Sequence, residues 1–278
     1  MWGGTRLAGL FPDAAPQEPA QVRPEQVRSG EAWFGEIGDR RPLVKLLDVH
    51  DRLSVQVHPD DALAVELSGA SAIGKHEAWV ILDAAPSAYL LLGRDPSVTA
   101  EQISEALAGG GEVEPLLARI PVKAGDALDV PPGTLHALMP GLLVWEVQQP
   151  SDLTYRVSDW GRGRADRPLH RSEARRATDP AATVKHLQRI DWTTPGICVI
   201  TTCRAFEVRA VVGPWSGELD TSRSATLTLI THHEADVTVQ VGGITLQALQ
   251  SASCEERSTS LTLPAGVALL VAEPGRAI

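Results

Sequence analysis

The stretch Leu53-Ser54-Val55-Gln56-Val57-His58-Pro59-Asp60-Asp61 decides how the chain folds. Leu53, Val55 and Val57 alternate with Ser54, Gln56 and His58, the period of two that marks a half-buried strand. One side is apolar; the other gathers a hydroxyl, an amide and an imidazole. Pro59 has no N–H to give a central ladder, so the strand stops just after His58. Taken alone, this is an ordinary polar face with a single histidine. Its meaning depends on what the rest of the chain brings to that face.

Two later segments do so. Gly125-Asp126-Ala127-Leu128-Asp129-Val130-Pro131-Pro132-Gly133-Thr134-Leu135-His136 fits the G-x5-P-x-G-x2-H pattern of the second cupin motif. Gly125 opens a turn, a strand runs to Pro131, Pro132-Gly133 reverse the chain, and His136 faces inward on the next strand. In Gly74-Lys75-His76-Glu77-Ala78-Trp79, a strand places Lys75, Glu77 and Trp79 on one face and turns His76 away from them. Gln56, His58, Glu77 and His136 then offer two imidazoles, a carboxylate and an amide oxygen. That sulfur-free set suits Zn²⁺, Fe²⁺ or Mn²⁺ with positions left open for substrate.

The rest of the chain reads as mainly β. Pro42–Val49, Gly74–Leu82, Ala88–Gly93, Leu128–Val130, Leu135–Leu138 and Leu142–Gln148 are strands, with a short helix over Asp60–Leu67. Between residues 97 and 120 the period changes to that of two short helices, split by Gly109-Gly110-Gly111, with Thr99 as the first N-cap. Residues 1–31 and the basic segment Arg156–Arg176 read as irregular. From His186 onward come short strands with regular Gly and Pro punctuation. The expected architecture is two cupin-type β-sandwich or jelly-roll units. A catalytic unit over 1–180 carries the helical insertion, and a unit over 181–278 has no metal ligands. In that second unit Leu263-Pro264-Ala265-Gly266 repeats the turn, but Leu269 stands where His136 stands in the first. His232 and His233 are adjacent and face opposite sides of a strand.

Bulk properties narrow the function. A formal charge of −10 and a pI near 5.3 argue against nucleic acid and anionic membrane as partners. Without an apolar run long enough to span a bilayer or a signal peptide, the expected location is cytoplasmic. Cys198, Cys203 and Cys254 have no zinc-ribbon spacing and are expected reduced. Four lysines against 21 arginines make Lys75 beside Glu77 more noticeable.

LSVQVHPDD, GKHEAW, PPGTLHAL and EVQQPSDLTYRVSDWGR occur in this order. Together they resemble the signature blocks of class I mannose-6-phosphate isomerases, particularly the short bacterial form, closely over residues 42–175. The resemblance implies one zinc ion per chain, with Gln56, His58, Glu77 and His136 as its ligands. It also implies Lys75, Asp152 and Arg156 as catalytic residues, Lys75 and Arg156 as substrate contacts, and Ser54 as a further one. The implied reaction interconverts mannose 6-phosphate and fructose 6-phosphate through an enediolate. Asp152 and Lys75 are the alternatives for the base. Family members carry a longer lead-in with an acidic-Trp strand, matched here only by Gly30-Glu31-Ala32-Trp33. An iron-dependent cupin oxygenase and a non-catalytic sugar-phosphate-binding cupin are the competing readings of the same residues. Oligomeric state is not legible.

Overall fold

The computed structural model describes Gly3, residues 6–7, 30–163, 168–182, 186–231, 237–241 and 244–275. Arg164, Arg167, Lys185, His232 and His233 lie outside the described residues, as does most of the N-terminal segment before Gly30. The chain up to Arg189 forms eleven strands: β1 (Glu31–Phe34), β2 (Leu43–Val49), β3 (Val55–Val57), β4 (Glu77–Ala84), β5 (Tyr89–Arg94), β6 (Leu117–Pro121), β7 (Asp126–Val130), β8 (His136–Leu138), β9 (Leu142–Gln148), β10 (Tyr155–Ser158) and β11 (His186–Arg189). They make a six-stranded sheet ordered β1-β2-β9-β4-β7-β11 and a five-stranded sheet ordered β10-β3-β8-β5-β6. All their named pairings are antiparallel.

The remainder contributes β12 (Gly196–Thr202), β13 (Phe206–Val212), β14 (Trp215–Asp220), β15 (Ala225–Thr231), β16 (Thr238–Val241), β17 (Ile244–Gln247), β18 (Ser251–Cys254), β19 (Ser258–Leu263) and β20 (Val267–Pro274). These form a five-stranded sheet, β12-β13-β20-β15-β18, and a four-stranded sheet, β14-β19-β16-β17. The mainly β reading holds, with the two sheet pairs stacked.

Alternation along single strands shows how the layers pack. On β2, Leu47 and Val49 enter a core with Trp79, Leu90, Leu92 and Leu128, between the first two sheets. Val44 and Leu46 on the opposite face join Trp145, Val147, Phe206, Val208 and Leu270, between the first and third sheets. A strand covered on both faces reads as a continuous apolar run rather than an alternating one. That is why LVKLLDV and LLVWEVQ are buried at every position. The outer face of the second sheet is covered by helices α2 (Ala100–Gly109) and α3 (Arg171–Ala177), through Ile103, Leu107 and Ala174 against Val55 and Val57.

Helix α1 (Asp61–Ser68) starts where Pro59 ends the strand, with the Asp60 carboxylate accepting from the Leu63 N–H at 2.8 Å. Thr99 and Gln102 form a reciprocal capping box on α2. Beyond Gly110, in the left-handed region at φ 71°, the second expected helix is only one 3-10 turn (Glu114–Leu116), followed by β6. The reason is pairing: β6 aligns Ile120 with Leu90 and Arg119 with Leu91, so sheet contacts override the helical spacing of the leucines. The segment read as irregular after Arg156 also acquires structure, as β10 and α3. No helix among the described residues is long and apolar enough to cross a membrane. The three cysteines are free thiols.

Candidate metal centre

Backbone hydrogen bonds tie the site-bearing segments to one another. The Gly133 N–H donates to the His58 carbonyl at 2.9 Å, which brings the PPG turn against the end of β3. Gly133 has φ +87°, a conformation an L side chain rarely adopts. The Lys75 N–H donates to the Pro59 carbonyl at 3.0 Å, and the His76 N–H to Gln149 Oε1 at 2.9 Å. Sheet register then aligns the side chains. Arg156 on β10 lies opposite Gln56 on β3, and Gln56 lies opposite His136 on β8. On the facing sheet, Trp33, Lys45, Glu146 and Trp79 form one row across β1, β2, β9 and β4.

His58, Glu77 and His136 converge in the gap between the sheets. All three are buried, and one ligand atom from each lies within 4.8 Å of the others. His58 Nε2 is 3.2 Å from Glu77 Oε1, and His136 Nε2 is 3.7 Å from Glu77 Oε2. Gln56 reaches the same point, its amide nitrogen 3.2 Å from His136 Nε2. Lys75 Nζ stands 3.1 Å from Glu77 Oε1.

The outer nitrogens of the two rings define their tautomers. His58 Nδ1 lies 2.9 Å from the Leu153 carbonyl, and His136 Nδ1 lies 2.9 Å from the Thr134 carbonyl. A carbonyl only accepts, so each Nδ1 carries the hydrogen and each Nε2 is a bare lone pair. His58 Nε2 and Glu77 Oε2 are buried with no hydrogen-bond partner. Lone pairs aimed at one another in a water-poor core are costly unless a cation sits between them. Burial and the Lys75 charge push His58 down to about 4, which leaves it neutral at pH 7. Burial likewise lowers His136. For Glu77, burial acts upward, but His58 and Lys75 outweigh it and hold the carboxyl well below the usual carboxylate range. Two neutral imidazoles and one carboxylate are the protonation states a divalent metal requires.

A cavity of about 490 Å³ opens beside this cluster. Gln56, Lys75, Glu77, Asp152, Thr154 and Arg156 line one part of it, with Asp152 exposed at the rim. Ser54 is buried beneath Gln56, its hydroxyl donating to Gln56 Oε1 at 3.5 Å, and is not among the lining residues. His76 points the other way, with Nε2 2.7 Å from Asp129 Oδ1 and its ring edge-on to Phe206. Asp159 pairs with Arg162 rather than with Arg156.

The opposite wall holds groups that the motifs do not mark. Lys45 Nζ lies 3.3 Å from Glu146 Oε1, donates to Gln148 Oε1 at 2.5 Å, and sits 4.3 Å above the Trp33 ring. Burial, with Glu77 nearby, raises the Glu146 carboxyl against the pull of Lys45. Burial lowers Lys45, but Glu146 and Glu31 more than offset it, so its ammonium is retained. The sequence does carry a signal for them: LVKLLDV and LLVWEVQ are otherwise apolar strands, and a charge inside such a run must face a partner or a cavity.

The chain matches known proteins along most of its length. It is 38% identical over 215 residues to YvyI, a candidate mannose-6-phosphate isomerase of Bacillus subtilis, covering 67% of this chain and 66% of that one. The crystal structure of the mannose 6-phosphate isomerase from Bacillus subtilis superposes with a TM-score of 0.75 at 25% identity, over 98% of this chain and 95% of the other. The chain belongs to the mannose-6-phosphate isomerase family. A zinc-bound mannose 6-phosphate isomerase shares the family fold at 13% identity, with a TM-score of 0.71 over 99% and 96% of the two chains. The sequence match spans just under two thirds of the length of YvyI. No protein-family model matches the chain.

Proposed function

We propose that this protein is a zinc-dependent aldose–ketose isomerase that interconverts mannose 6-phosphate and fructose 6-phosphate. The observation that carries the reading is the pair of buried Nε2 atoms left without hydrogen, that of His58 also without any partner, and the Glu77 carboxylate converging on one point beside a polar cavity. Gln56, His58, Glu77 and His136 would hold the ion, with Gln56 presenting its oxygen after a half-turn of the amide. A zinc ion there supplies Lewis acidity to an adjacent carbonyl.

The remaining work falls to side chains. Isomerisation moves one proton between C1 and C2 and one between their oxygens, so negative charge develops on the enediolate. Lys75 places an ammonium beside the reacting oxygens, and Arg156 adds a second cation on the cavity wall. Asp152 and Lys75 are the alternatives for proton transfer at carbon; with Lys75 held as the ammonium that role falls to Asp152, and Lys75 takes it only as the neutral amine. Glu146, its carboxyl raised and paired with Lys45, suits proton exchange between the sugar oxygens. Ser54 acts through Gln56, by its hydrogen bond to the amide. Residues 1–180 are the catalytic unit in this reading and 181–278 a structural one, whose first strand β11 is lent to the catalytic unit's sheet by pairing with β7. In the latter, Leu269 is fully buried core where His136 is a ligand.

A coupled assay on mannose 6-phosphate, with metal content measured on the same preparation, tests this. Zinc near one per chain and chelator-sensitive turnover are expected. Bound iron with oxygen consumption, or sugar-phosphate binding without turnover, overturns it.

A further inference from the structure

Strand β10 is an edge of its sheet: β3 pairs with it on one side and, among the described residues, no strand pairs on the other. At Arg156 the open side is closed by a single residue from the start of α3. The Arg156 N–H donates to His170 Nδ1 at 3.2 Å, and the His170 N–H donates to the Arg156 carbonyl at 2.8 Å. One residue therefore satisfies both main-chain groups of Arg156, as a neighbouring strand would. The same arginine faces Gln56 across the ladder and lines the cavity. The ladder register shifts between Arg156 and Ser158, so the pairing with β3 is irregular immediately after Arg156 before it resumes at Ser158 opposite Val55.

From this geometry we infer that His170 is a positioning residue for Arg156, clamping its backbone so that the guanidinium is presented to the sugar phosphate. The inference rests on the isomerase reading above. It requires the ring to be neutral with hydrogen on Nε2, because Nδ1 must accept. Around the ring stand Arg156 and Tyr155 from β10, with the Tyr155 ring 6.2 Å away, and Glu173 from its own helix. Among the described residues, α2 and β3, which also pack on α3, bring no charge that acts on the imidazole. Burial and the Arg156 charge lower His170, while Glu173 opposes them, so the accepting form is favoured near neutral pH. Acid would convert the acceptor into a cation beside Arg156 and open the clamp.

The zinc-loaded full chain is compared with His170→Ala and His170→Asn, since Asn can place an acceptor oxygen near the position of Nδ1 without titrating. His170→Ala is expected to lower kcat/KM about 10-fold or more with metal content unchanged, in the range of losses seen when groups supporting a site are removed. His170→Asn is expected to restore most of that loss and to flatten the acid limb of the kcat/KM profile. Nitrogen NMR of histidine-labelled wild type should show His170 Nδ1 unprotonated at neutral pH. Wild-type kinetics in His170→Ala, no recovery in a folded, metal-replete His170→Asn, or a protonated Nδ1 would each overturn the assignment. If the wild type turns over no sugar phosphate, the isomerase reading fails, and the NMR tautomer alone still decides whether His170 accepts from Arg156.

Discussion

Gln56 on β3 and His136 on β8 stand directly opposite one another, with the amide nitrogen of the first 3.2 Å from Nε2 of the second. This pairing joins two motifs that are 80 residues apart in the chain. Arg156 extends the same row on the other side of Gln56. Two proposed metal ligands and the proposed substrate cation Arg156 are thus set by one line of sheet register.

His136→Ala removes one of the two bare imidazole nitrogens and leaves its partner Glu77 buried. Zinc content and isomerase activity should both fall by more than the ~10–100-fold typical of changes outside the ligand shell. Elemental analysis and the coupled assay on one sample check this. Full turnover in zinc-free protein would remove the metal from the reaction.

Lys45→Met leaves the Glu146 carboxylate buried without its cation. Breaking a buried pair from one side costs about 3–5 kcal/mol, whereas Lys45→Met combined with Glu146→Gln should recover most of that loss. Urea unfolding reads the stabilities. Both variants should retain zinc while losing turnover.

A Cβ on Gly74 would lie 2.6 Å from the Asp60 carbonyl carbon and 2.7 Å from the Asp61 nitrogen. Gly74→Ala must therefore push the end of the GKHE segment away from the Pro59–Asp61 turn, carrying Lys75 with it. The expected cost is about 1–3 kcal/mol, with activity falling further than stability alone explains. Thermal melts and kinetics on the folded variant separate the two effects.

Trp145 Nε1 donates to Thr228 Oγ1 at 2.9 Å, a buried bond between β9 of the first sheet and β15 of the third. Thr228→Val leaves the indole N–H unpaired, at about 1–3 kcal/mol. In a double-mutant cycle with Trp145→Phe, the two losses should not add, because each removes the same bond. Additive losses would mean that the bond contributes nothing.

Asp191 caps the turn between β11 and β12. Side-chain hydrogen bonds from Thr193 and Thr194 hold its carboxyl down at about 2. A carboxyl lowered in the folded state stabilises fully above its unfolded value of 3.8, and that contribution is lost as pH falls from there through about 2. Carbon NMR titration of Asp191 should place its midpoint near 2 in the wild type. Removing both hydroxyls should move it upward, and an unshifted midpoint would count against the cap.

Much of the site is legible in the sequence. His58 is marked by strand alternation and the Pro59 stop, His136 by a turn pattern with a defined reversal, and Glu77 by its place beside Lys75. Each is a local signal, readable within about ten residues. The capping of α1 and α2 is legible for the same reason, since a cap is a bond between near neighbours. Lys45 and Glu146 are not legible as a pair, because their partnership is a register between strands far apart in the chain. Leu117 and Ile120 carry helical spacing yet sit in a strand, because pairing with β5 decides their conformation.

What the chain encodes locally is which residue types are available and which way each strand presents them. What required the tertiary structure is which of them meet. The Nε2 atoms are bare because two carbonyls, of Leu153 and Thr134, hold the opposite ring hydrogens. Arg156 is held at a sheet edge because His170 closes it. A hydrogen bond across the fold leaves no periodic trace in sequence, since only its two ends are specified and the distance between them is set by packing.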